Sequence, residues 1–107
     1  MTVARFGSVT RRRQVYKITY PNGMIYVGSD DTGSTYTYFG SPSAKQRIAA
    51  DLAPWRDDLM VHKNILWESD TASKTEMLKK ERELIVELGA NDPAVGYNLT
   101  PRFRPPQ

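Results

Sequence analysis

The chain contains no cysteine, which excludes disulfides and cysteine–zinc sites. Its one histidine, His62, excludes a multi-histidine metal site. Any metal is therefore expected to be a hard cation held by carboxylates, Mg²⁺ or a relative. No apolar run approaches the roughly 20 residues of a membrane span, and the N-terminal MTVARFGSVTRRR lacks the apolar core of a secretory signal. The expectation is a soluble protein of the cytoplasm with no membrane partner. Acidic residues are scarce in the first half: residues 1–50 hold seven Lys/Arg against two Asp, and residues 51–107 hold eight against ten Asp/Glu. That asymmetry, with Arg11, Arg12 and Arg13 near one end and Arg102 and Arg104 near the other, suits a polyanion, of which nucleic acid is the commonest. A solvated basic tail with no partner accounts for the same charges.

What is present is enough for one small core. A length of 107 residues allows a single domain, and 39% hydrophobic with 10% aromatic residues argues against wholesale disorder. Residues 1–13 read as a basic arm, 14–100 as the folded domain and 101–107 as a tail rich in proline and arginine.

Residues 14–29, QVYKITYPNGMIYVGS, read as a β-hairpin. A two-residue Asn22-Gly23 turn is the strongest short hairpin signal, but it would place Pro21 in the ladder, where proline has no N–H to give. A three-residue turn, with Pro21 first and Gly23 left-handed, suits every residue. That register sets Tyr16 opposite Gly28 and Ile18 opposite Tyr26, so both tyrosines share one face. They could be ordinary core aromatics or could open into one pocket.

Residues 29–40 form a polar and aromatic loop. Ser41-Pro42 is expected to open a helix that ends at Pro54, residues 59–67 read as a third strand, and Ser73-Lys-Thr-Glu76 matches a capping box for a helix ending at Gly89. The order β-β-α-β-α predicts an α+β fold, a small three-stranded antiparallel sheet flanked by helices. In the last helix Met77, Leu78, Leu84, Ile85 and Leu88 form one stripe with Glu81 at its centre. A carboxylate there is costly unless it is paired or holds a metal. It could reach a backbone donor or Arg47, or it could be a lone metal ligand at the floor of a cleft.

Taken in order, these segments resemble the GIY-YIG nuclease family, and especially its small phage members and homing-endonuclease catalytic domains. The two strand motifs of that family are matched by Val15-Tyr16 and Tyr26-Val27-Gly28, its helical glutamate motif by Glu81 with Leu84-Ile85, and its closing asparagine by Gly96-Tyr97-Asn98. The resemblance implies Mg²⁺- or Mn²⁺-dependent hydrolysis of a DNA phosphodiester with one ion per site and no small-molecule cofactor. It implies that Tyr16 positions or deprotonates the attacking water, Tyr26 assists and orients the phosphate, Glu81 holds the metal and Asn98 supports the site. The pattern departs in two places. Gln14 stands where the family has glycine, and the position of the family's arginine falls on Tyr36. Arg47 is the next candidate for a phosphate clamp, ahead of Lys45 and against a structural salt bridge. Tyr38 is the candidate for the residue that follows that arginine, unless it packs on the sheet. His62 reads as structural. DNA contacts are expected from Arg11, Arg12, Arg13, Lys17, Lys45, Arg102 and Arg104, and a homodimer or a targeting partner could supply specificity. A degenerate nuclease that only binds nucleic acid is the competing expectation, and a small scaffold protein a third.

Overall fold

The chain reverses at Pro21 through the three-residue turn. Tyr20 donates its N–H to the Met24 carbonyl (2.9 Å) and Gly23 donates to the Tyr20 carbonyl (2.8 Å). Gly23 takes φ +86°, a left-handed conformation that glycine adopts without steric cost. The computed structural model describes residues 12–106; Arg11 and nearly all of the basic arm lie outside them. β1 (Arg13–Thr19) and β2 (Ile25–Asp30) pair antiparallel with Tyr16 opposite Gly28 and Ile18 opposite Tyr26. After β2 come α1 (Lys45–Leu52) and a short 3-10 turn, then β3 (His62–Ser69) and α2 (Lys74–Leu88). β3 pairs with the free edge of β1, giving an antiparallel sheet in the order β2-β1-β3. The fold is α+β in the order β-β-α-β-α.

Two element starts differ from the sequence reading, and β2 and β3 each run further than expected, to Asp30 and Ser69. The first helix starts at Lys45 behind Ala44, with no side-chain cap, so Ser41-Pro42 lies in the loop. Gly40 turns the chain just before it at φ +94°, and the first helical hydrogen bond is from Ile48 N to the Ala44 carbonyl. The third strand starts at His62 rather than at residue 59, because the β1 ladder has its last partner at Thr19, opposite His62. Leu59 and Met60 precede that pairing and stay exposed.

Alternation along β1 divides the core. Val15 and Val27 pack against Met77 and Ile85 of α2 together with Ala90. Each aliphatic side chain buried there contributes about 1.5–3 kcal/mol. Ser73 caps α2, accepting from Glu76 N (3.1 Å) while the Glu76 carboxylate accepts from Ser73 N (2.8 Å). Gly89, at φ +72°, ends the helix. Met77 and Ile85 flank Glu81 four residues to either side, as the stripe requires, whereas Leu78 is 46% exposed and leaves it. Among the described residues no helix is long and apolar enough to cross a membrane.

The outer edge of β2 is closed by the chain at 95–98. Ile25 donates to the Val95 carbonyl and accepts from Tyr97 N. The Asn98 amide completes this edge: its Oδ1 accepts from Val27 N (2.9 Å) and its Nδ2 donates to the Val27 carbonyl (2.8 Å). Asn98→Ala leaves both groups of Val27 without partners, and each buried unpaired group costs about 1–3 kcal/mol. Urea unfolding is expected to show a loss of about 2–4 kcal/mol for Asn98→Ala and under about 0.5 kcal/mol for the exposed Leu99→Ala.

Candidate active site

The face of the sheet opposite α2 carries Tyr16, Ile18, Tyr26 and Lys63, and the loop at 35–40 lies across it. Tyr16 is 0% exposed, and among the described residues its buried hydroxyl has no hydrogen-bond partner. The hydroxyl sits beside two glycines. A Cβ built on Gly28 would fall 2.5 Å from it and one on Gly40 2.9 Å from it, and the same two atoms would also press on the Tyr26 ring. Tyr38 meets Tyr16 edge-on at 6.1 Å.

Glu81 enters from the other layer. Its Oε1 accepts from the Ser29 hydroxyl (2.9 Å), and Ser29 lies on the Val27 side of β2, the side that faces α2. The carboxylate therefore does not share the tyrosine face. It reaches Ser29, the residue after Gly28 on β2, and its charge is felt by Tyr16 and Tyr26 across the strand. Burial pushes the Glu81 carboxyl up, opposed by the Ser29 hydrogen bond. Tyr26 is pushed up to about 12, first by burial and then by the negative charge of Glu81 and by its tyrosine neighbours. Tyr16 is raised further by burial, then by Tyr26, Tyr38 and Glu81. Both phenols are protonated at neutral pH.

Arg47 is engaged away from this cluster. It donates to the Pro93 carbonyl (2.6 Å), stands 3.7 Å from the Asp51 carboxylate and lies 5.0 Å from the Tyr97 ring centre. Tyr97 packs edge-on against Tyr20 and donates to Asp51, so Arg47 fastens α1 to the turn end of the hairpin. The salt-bridge alternative is the one the structure displays. Tyr36, where the resemblance would put an arginine, is 91% exposed. Asn98 acts on the backbone between Tyr26 and Gly28 and not on the phenols. His62 is exposed at the start of β3. Arg12 pairs with Glu68 (3.1 Å) and Asp70 (3.7 Å), and Arg13 donates to the Ala72 carbonyl (2.8 Å). Lys17 is half-buried on β1, while Lys45, Arg102 and Arg104 are exposed.

No family model, curated protein or solved structure matches this chain. Among the described residues no three metal-ligating side chains gather, so an ion at Glu81 would have one protein carboxylate and would take its other ligands from water and phosphate. Mg²⁺ tolerates that arrangement because it sheds its waters reluctantly. A buried, raised carboxyl with a single hydrogen bond gains its charged form most readily when a cation arrives. The donor set fits one hard divalent ion.

Sequence reasoning missed Lys63. Its ammonium lies 4.7 Å from the Tyr16 ring centre and 5.5 Å from that of Phe39, and it donates to the Thr35 and Tyr38 carbonyls (2.7 and 2.6 Å). Lys63 thus clips the loop over Tyr16, and burial lowers its pKa. The only sequence signal is its parity: opposite Ile18 in β3, it shares the tyrosine face. Gly40 was missed as well, since the glycine of a loop shows what it approaches only in three dimensions.

Two outcomes follow from these contacts. Lys63→Met removes the clip, and limited proteolysis is expected to cut within residues 31–40 at least several times faster than in the wild type while the melting temperature falls only modestly. The second concerns alkaline stability. With folded-state values raised, Tyr16 and Tyr26 keep their protons after the unfolded chain has begun to lose them near pH 10. Their contribution is complete below that pH and is lost as pH rises through the folded values. Each phenol adds a downward slope of at most about 1.4 kcal/mol per pH unit. Urea unfolding between pH 9 and 11.5 is expected to be less steep in Tyr16→Phe, which also removes an unpaired buried hydroxyl and so is not less stable at pH 7.

Proposed function

We propose that this protein is a nuclease of the GIY-YIG type that hydrolyses DNA phosphodiesters with one divalent cation, in the cytoplasm of a bacterial or phage-infected cell. The observation that carries the reading is the placement of Glu81 on Ser29 of β2, close enough for its charge to raise two protonated phenols on the opposite face, with the unpaired Tyr16 hydroxyl filling the space left by Gly28 and Gly40. Phosphoryl transfer needs alignment and charge stabilisation more than covalent help. Phenols that hold their protons are hydrogen-bond donors, so Tyr26 and Tyr16 orient the phosphate oxygens and the attacking water. The raised values disfavour the base role that the resemblance implies for Tyr16. Bound at Glu81, Mg²⁺ or Mn²⁺ would neutralise phosphate charge and stabilise the departing oxygen. Ser29 holds the carboxylate in place, and Asn98 holds the strand that carries Tyr26 and Gly28. Duplex DNA is the proposed substrate, with a second copy or a targeting partner supplying a second cut or specificity.

One observation favours the second reading, a nucleic-acid-binding module without activity. Tyr16 is sealed under the loop clipped by Lys63, and Arg47 is committed elsewhere. Catalysis requires the loop to open.

Supercoiled plasmid incubated with Mg²⁺ separates the two. The nuclease reading expects nicking that EDTA abolishes and that Glu81→Gln lowers about a hundredfold or more. Nicking that survives EDTA and Glu81→Gln would overturn the one-metal mechanism, and binding without nicking would favour the inactive module. A thermal readout is independent of turnover. Mg²⁺ is expected to raise the melting temperature of the wild type and not that of Glu81→Gln. Without Mg²⁺ at pH 7, Glu81→Gln is expected to melt higher than the wild type, because the wild type must bury a charge that the variant lacks. The gap closes at acid pH, where Glu81 is neutral in both the folded and the unfolded state.

A further inference from the structure

Glu81 also lines a second space. A cleft of about 450 Å³ runs between α2 and the chain at Thr100-Pro101, with Leu78, Lys79, Glu81 and Arg82 on its helical wall. We propose that this cleft binds the sugar–phosphate unit of the nucleic-acid strand next to the cleaved bond, with Lys79 and Arg82 as its phosphate ligands. This inference rests on the reading of Glu81 as the reaction centre.

Lys79 and Arg82 are three residues apart and so lie on one side of the helix. Among the described residues neither forms an ion pair. The acids best placed along the helix to neutralise Lys79 are committed to other groups, and Arg82 has no acid three or four residues away on the helix. Glu76, three residues before Lys79, closes the capping box with Ser73, and Glu83 pairs with Lys80 at 3.8 Å. Two unpaired cations beside a carboxylate suit a ligand that brings both phosphate and a divalent cation. An anion alone would meet repulsion from Glu81, and a cation alone would meet repulsion from the lysine and arginine.

The opposite wall is held in place. Asn91 donates from Nδ2 to the Pro101 carbonyl (2.7 Å), and Asn98, just upstream, is fixed to both backbone groups of Val27. Pro101 and the half-exposed Leu78 give an apolar surface of the kind a sugar or base covers, between cations spaced for its phosphate. The volume lies within the range of small-molecule sites. Glu81 lines the cleft, so a strand cut beside Glu81 continues into it. Lys79 and Arg82 thereby supply the clamp for which Arg47 is not positioned.

Fluorescence anisotropy with a labelled duplex in Ca²⁺, over a series of KCl concentrations, tests the assignment alongside plasmid nicking in Mg²⁺. Each lost phosphate contact lowers the salt slope by about 0.9. Lys79→Ala/Arg82→Ala is expected to lower it by about 1–2 and to weaken nicking through KM. The charge-matched control Arg56→Ala/Lys74→Ala is expected to keep the wild-type slope, and a thermal melt confirms that both variants are folded. If the wild type nicks and the cleft variant binds and nicks equally well, the cleft is overturned and the nuclease reading stands. If the wild type never nicks but the slope still drops selectively in the cleft variant, the nuclease reading fails and the cleft remains a phosphate site. A wild type that binds no DNA at low salt overturns both.

Discussion

Proline cannot donate to a β-ladder, and at Pro21 that single constraint sets the register of the hairpin. The ladder stops at Tyr20, the turn takes three residues, and Tyr16 falls opposite Gly28. A slip of one residue would send every side chain of one strand to the other face. Tyr26 would then point into the layer occupied by Met77 and Ile85, and Gly28 would no longer leave room for the Tyr16 hydroxyl. The side chain of Ser29 would likewise leave the α2 side, where it holds Glu81. The placement of phenols and carboxylate about β2 thus depends on a residue that touches none of them.

The same geometry makes the site energetically poor. A fully buried hydroxyl without a partner, a carboxyl that burial drives toward its neutral form and a lysine that burial drives toward its neutral form lie around one strand. The unpaired hydroxyl is unfavourable outright, while the burial of the carboxyl and of the lysine is offset in part by their hydrogen bonds to Ser29 and to the loop carbonyls. Compensation lies nearby: Val15 and Val27 pack on α2, the capping box holds that helix, and the Asn98 amide completes the edge of β2. Unfavourable groups gathered at one place are what supports the proposed function of this face.

Local rules were the ones legible in the sequence. The turn at Pro21-Gly23, the capping box at Ser73-Glu76 and the glycine stop at Gly89 depend on residues a few positions apart, and all three stand as read. Glu81 was legible because helical periodicity placed it between Met77 and Ile85. The failures share a different cause. Whether Ser41 caps a helix depends on the path the chain takes over Tyr16 and Tyr26, and where β3 begins depends on where β1 ends. Arg47 has the right charge and the right helix, but Pro93, Asp51 and Tyr97 claim it. Lys63 had no local signature, because its partners Tyr16, Thr35 and Tyr38 are far from it in sequence.

Helical periodicity also hides a feature of Glu81 that only the two layers reveal. A residue at the centre of a buried stripe faces the sheet, yet a glutamate is long enough to reach past the sheet edge. β2 is that edge, and the chain at 95–98 covers it at Ile25 and Val27. Beyond the covered part, Ser29 takes the carboxylate. One oxygen is thus fixed by the strand that carries Tyr26, while the side chain also borders the cleft walled by Pro101. Asn98 links both sides, since its amide sets the β2 edge and its backbone leads directly into the cleft wall. A substitution there is therefore expected to be felt on two surfaces of Glu81 at once, although the asparagine side chain bonds only to the backbone of Val27.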